Sequence, residues 1–237
     1  TTLMDSKLLL PLWVVVSIVT TAAVTGWLYR GDGRRAEALD GSALGGLLLE
    51  LGALFFNVGV PFVAVLSGSL SLDLMGLGKL WSLSGHVAGF TLGEWLRGAG
   101  EAIGAAALSL GVLWSSRRGV GLTEAHDGAF GNAVAGLRDE AHWMFYRAPV
   151  TLLLGDPFYG ALAGFALVAF EWLLHPRFIS QQLARENRWH LLVRLTCALV
   201  SGTLYLGTRN LWLMLAAHVL VRVLAERMPR VMRTQAA

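Results

Sequence analysis

Apolar residues gather into seven long runs, at 8–29, 43–66, 98–114, about 131–154, 157–174, 190–207 and 210–226. Short polar or glycine-bearing segments separate them. A helix needs about 20 mostly apolar residues to cross a bilayer, so each run predicts one transmembrane span. The first run lacks the small-residue cleavage site of a signal peptide and leads into "YRGDGRR", which predicts a retained span. The stretch 74–97, "LMGLGKLWSLSGHVAGFTLGEWLR", is too interrupted by glycine and polar residues for a span and predicts an interfacial or re-entrant segment. The expected organisation is two N-terminal transmembrane helices in 1–73, followed by a helical core over 74–237. Small-xxx-small pairs at Gly41/Gly45, Gly100/Gly104 and Gly160/Gly164 mark where helix backbones are expected to approach closely.

Composition agrees with this reading. The 237 residues are 55% hydrophobic and 15% charged, whereas a soluble domain carries about 25% charged residues. The fold class expected is therefore an all-α polytopic membrane helix bundle, with the lipid bilayer as its first partner. The net charge is +3, yet the arginines are scattered between apolar runs, which excludes a nucleic-acid surface. Twelve basic residues fall in alternate loops and at the C-terminal end (Arg30, Arg34, Arg35, Arg117, Arg118, Arg177, Arg185, Arg188, Arg222, Arg227, Arg230 and Arg233). Four fall on the opposite side: Lys7, Lys79, Arg97 and Arg209. The positive-inside rule then places the N-terminus outside and the C-terminus in the cytoplasm. One cysteine, Cys197, leaves no internal disulfide and no cysteine-based zinc site.

The fourth run opens on "RDEAHWMFYR", Arg138 to Arg147, which places two acids, a histidine and two arginines at a span. Such groups cost a few kcal/mol each in the hydrocarbon and face a cavity or a partner. Glu140 and Arg147 are seven residues apart, nearly two turns, so they share a helix face with their Cα atoms about 10 Å apart. Further polar residues in spans are Glu50, Asn57, Glu101, Glu171, His175, Arg194 and His218. Glu50 and Arg194 read as an interhelical pair. Glu171 and His175, one turn apart, read as a second pair or, with one more ligand, as a metal site. A carboxylate with two histidines around a cavity can activate water and stabilise an oxyanion, which makes Glu140, His175 and His218 candidates for hydrolysis. Nothing in the sequence requires a cofactor.

The order "DEAHWMFYR", then "FEWLLHP", then "LYLGTRNLWLMLAAHVLVR" resembles the CPBP family, the CAAX-protease and bacteriocin-processing group of glutamic intramembrane proteases. That family's pattern is Glu-Glu-x-x-x-Arg, Phe-x-x-x-His and His-x-x-x-Asn or Asp, and the resemblance covers residues 74–225. It implies a CPBP-like core with Glu140 and Asp139 activating water, Arg147 positioning the acid, and His175 and His218 stabilising an oxyanion. The implied substrate is a prenylated or membrane-near peptide. The chain also departs from the pattern. Asp139 replaces the first glutamate, the arginine falls three residues late, the Phe170–His175 spacing is one residue too long, and Arg222 stands where the family has an amide or acid. The departures favour a non-catalytic binding or assembly subunit of a larger membrane complex, in which His218 could meet haem. An intramembrane endopeptidase is the alternative.

Overall fold

Every one of the seven apolar runs is helical in the computed structural model, which describes residues 3–29, 37–39, 41–78, 86–117, 128–174, 184 and 187–228. The helices are α1 (Leu3–Leu28), α2 (Ala43–Leu54) continuing through a π turn (Phe55–Gly59) into α3 (Val60–Leu66), α4 (Leu92–Ser116), α5 (Ala129–Leu154), α6 (Pro157–Leu174), α7 (Arg188–Thr208) and α8 (Leu211–Glu226). The protein is all-α. Among the described residues, five helical stretches are long and apolar enough to cross a membrane: Leu8–Leu28, Ala43–Leu66, Leu92–Ser116, Pro157–Leu174 and Arg188–Thr208. These five make it an integral membrane protein. Helix α5 carries the charged stretch, and α8 has 16 residues.

The segment expected to be interfacial contains no helix over its described residues before Leu92. It forms an antiparallel hairpin pairing His86 with Thr91 and Val87 with Phe90. Ala88 and Gly89 supply its two-residue turn at φ 49° and 87°, the left-handed geometry that matches strand twist. Helix α4 begins at Leu92 rather than near residue 98, so the last residues of that segment extend the third span.

The chain divides into two compact units. The first comprises residues 1–92 and 138–179, with α1, α2–α3, most of α5, and α6. Its α5 and α6 form a helical hairpin. Gly155 at φ 69° ends α5, and the Asp156 carboxylate accepts the Phe158 N–H at 2.8 Å to start α6, with Pro157 at the first position, where its missing N–H costs nothing. The expected Gly160/Gly164 face does pack. A Cβ at Gly164 would strike the Arg147 side chain and backbone, and one at Gly160 would strike Thr151.

The π turn sits directly before Pro61, whose ring would press on the Asn57 carbonyl in a regular helix. Widening the turn relieves that clash, and the Val60 N–H reaches back five residues to Phe55.

The second unit comprises residues 93–137 and 180–237, with α4, the first turns of α5, α7 and α8. Arg209 in the left-handed conformation (φ 48°) stops α7, and Asn210 caps α8 by accepting the N–H groups of Trp212 and Leu213 at 3.0 and 3.3 Å. This two-residue link holds α7 and α8 as an antiparallel pair. Glycines of α4 pack differently from expectation. Gly100 and Gly104 face open space, while Gly98, Ala102 and Ala106 are buried, with Gly98 against Leu213 and Thr208. At Gly41/Gly45 the close approach is local, to backbone carbonyls of Glu37 and Leu39 just ahead of α2.

Candidate functional site

The charged decapeptide is the most completely buried stretch of the first unit. Every residue from Asp139 to Pro149 is buried, including Glu140 at 0% and Asp139 at 7% exposure. A helix enclosed on all sides reads as apolar all round; this one instead carries ionisable groups, so each must have a purpose or a partner.

Two of those groups have partners on neighbouring helices, and a third packs its stem against one. Arg138 binds the Glu50 carboxylate of α2 at 3.1 Å. Glu50, expected to pair with Arg194, is held by a residue of its own unit. His142 Nε2 meets Glu171 Oε2 of α6 at 2.7 Å, with both side chains almost fully buried. Glu171 thus pairs across helices with His142, where one-turn spacing had suggested His175. Arg147, 3% exposed, has its stem in the notch left by Gly164 and donates to the Met144 sulfur at 3.6 Å.

Around the His142–Glu171 pair lies a polar cluster that the sequence reading missed. The His142 ring meets Tyr146 in a tilted contact at 4.3 Å between centroids, and Phe56 of the π turn lies against it at 5.5 Å. Tyr146 lies beside both Glu171 and Ser17, and Thr21 lies beside Glu171. Ser17 Oγ, Thr21 Oγ1, His142 Nδ1 and Tyr146 Oη are buried and form no full hydrogen bond among the described residues. The sequence did hold a signal. Trp13, Ser17 and Thr21 recur every four residues and draw one polar stripe down the mostly apolar stretch of α1.

The remaining candidates fall as follows. His175 lies outside the described residues. His218 is fully buried in the second unit, its carbonyl 3.9 Å from the Cys197 Sγ and its ring against the Gly136 position. Among the described members of the expected catalytic set, Asp139, Glu140 and Arg147 belong to the first unit and His218 to the second. Glu101 binds Arg97 at 3.3 Å, and Arg97 also donates to the Gly207 carbonyl at 3.0 Å, tying α4 to α7. Asn132 donates to Glu226, tying the start of α5 to the end of α8. Among the described residues no three His, Cys, Asp or Glu side chains gather as a metal site would need. No family model, curated protein or solved structure matches this chain.

Proposed function

We propose that this chain is a non-catalytic binding or assembly subunit of a larger membrane complex, built on a divergent CPBP-like core. The observation that carries this reading is how the cationic and imidazole groups of α5 are used. Arg138 is committed to Glu50, His142 to Glu171, and Arg147 to the Gly164 notch. Groups engaged in this way hold helices together, whereas a hydrolytic site keeps its base and oxyanion donors aimed at a reacting carbonyl. Asp139 and Arg222, both departures from the family pattern, support the same reading. The arginine bias of the loops supports an orientation with the N-terminus outside and the C-terminus in the cytoplasm.

A second reading, an intramembrane glutamic peptidase, is favoured by one observation. Glu140 is a fully enclosed acid in a span, directly after Asp139 as an acidic pair requires. One experiment separates the two. Wild type and Glu140→Gln are purified from native membranes in mild detergent, and each is offered a prenylated peptide. The subunit reading expects stoichiometric companions with the wild type and no cleavage by either form. Cleavage by wild type that Glu140→Gln abolishes would overturn it in favour of the peptidase.

A further inference from the structure

The polar seam between α1, α5 and α6 joins helices through its His142–Glu171 contact, and it also has a composition of its own. Its titratable centre is one carboxylate and one imidazole, Glu171 and His142, in contact at 2.7 Å. Helix α1 faces that centre with Ser17 and Thr21 and contributes no charge there; α5 adds the Tyr146 phenol; the π turn adds only the Phe56 ring. Beyond the centre, α5 carries Arg138, Asp139, Glu140 and Arg147, of which Arg138 binds Glu50 and Arg147 lies against Gly164.

The seam has a direction. Glu171 lies three residues before Leu174, the end of α6, which is about 5 Å along the axis. Thr21 is level with it. Ser17 and Tyr146 lie one turn deeper, and Trp13 is a turn deeper again, so the stripe on α1 spans about 12 Å. Ser17, Thr21 and Tyr146 can each both donate and accept a hydrogen bond. The indole of Trp13 only donates, so a chain of proton hops ends there.

We propose that this seam is a proton-binding site served from one bilayer face, a half-channel rather than a through-path. The ligand is a proton delivered by water at the face where α6 ends. With one proton between them, His142 and Glu171 are jointly neutral. When that proton leaves to water, the pair carries a single negative charge on Glu171, and the hydroxyls of Thr21 and Tyr146 turn to donate to it. When a proton returns, the same hydroxyls turn back, so that atoms and charge balance through the cycle. The buried hydroxyls suit this role because they form no full hydrogen bond among the described residues yet lie beside Glu171 or one another, so each can turn between partners. The inference does not depend on the subunit reading, since it concerns the chain alone.

Nitrogen-15 histidine spectra of the protein in phosphatidylcholine bilayers test it. The His142 signal, identified by its loss in His142→Gln, is expected to change protonation state with bulk pH and to exchange its ring proton with deuterated water. Tyr146→Phe and Ser17→Ala leave the pair intact and are expected to slow that exchange at least several-fold. Glu171→Gln is expected to remove the coupled titration. A His142 signal that neither titrates nor exchanges in the wild type overturns the proposal. So does an exchange rate unchanged in Tyr146→Phe, a variant that retains the His142–Glu171 contact and therefore the local fold.

Discussion

His142 and Glu171 bring a histidine and an acid 29 positions apart into contact in a nearly dry place. Removing one partner of such a pair leaves the other desolvated without compensation, which costs about 3 kcal/mol or more, whereas replacing both with apolar groups of similar volume is often close to neutral. His142→Ala is therefore expected to lower stability by about 3 kcal/mol, and His142→Leu combined with Glu171→Leu to recover most of that loss. Unfolding in a mixed-micelle denaturant titration would measure both. A double variant as unstable as the single one would show that the pair is worth more than its geometry suggests. The sequence showed that these residues needed partners but not which ones. One-turn spacing pointed Glu171 to His175, and charge alone pointed Glu50 to Arg194. The tertiary fold gave Glu171 to His142 and Glu50 to Arg138, because a side chain on one helix has several neighbours and local spacing lists only those on its own helix. The hydroxyls of Ser17 and Thr21 escaped for another reason. Single small polar residues barely disturb a hydropathy average, and their meaning comes from what faces them.

The existence of each helix was legible, because the hydrocarbon demands long apolar runs and leaves few alternatives, but α1 and α4 each begin five or six residues before the apolar run that predicted them. Helix faces were less so. Of the glycine pairs, Gly160/Gly164 packs on α5, while Gly100/Gly104 does not, and the neighbouring Gly98, Ala102 and Ala106 are buried instead. Two small-residue stripes on one helix look alike in sequence, and only the position of Leu213 and Thr208 chooses between them. This difference predicts opposite signs for the same substitution. Gly164→Ala sets a methyl against the Arg147 backbone and is expected to cost about 1–3 kcal/mol. Gly100→Ala meets nothing and is expected to stabilise α4 by up to about 1 kcal/mol through helix propensity. Thermal unfolding of the two variants in the same detergent would check both. The α7–α8 link offers a similar contrast. Asn210→Ala removes the acceptor for two helix N–H groups and is expected to cost about 1 kcal/mol. Arg209→Gly relaxes a left-handed residue and is expected to be neutral or stabilising.

At the scale of the whole molecule, the number of crossings decides on which side each end lies. Five helical stretches among the described residues qualify by length and hydropathy. Helix α5 falls short because of its charges, and α8 because of its length. The buried state of α5 from Asp139 to Pro149 explains how it can lie at membrane depth regardless. Its charges face protein, so the cost of meeting lipid does not arise. Counting α5 and α8 among the spans gives seven, and leaving both out gives five; either number puts the two ends on opposite sides. Six would put them on the same side. The protein has one cysteine, Cys197, and it is buried, so Cys197→Ala provides a background into which single cysteines can be placed at Thr2 and at Arg227. In sealed right-side-out vesicles, a membrane-impermeant maleimide is expected to label Thr2→Cys directly and Arg227→Cys only after the membrane is opened. Labelling of both before opening would mean an even number of crossings. It would also mean that the twelve-to-four split of basic residues records something other than topology, such as contacts with acidic partners, and the orientation drawn from it would have to be abandoned. Labelling of Arg227→Cys alone would reverse the orientation while keeping the odd count, and would put the end of α6, with Glu171 close behind it, on the opposite face from the one the arginines indicate.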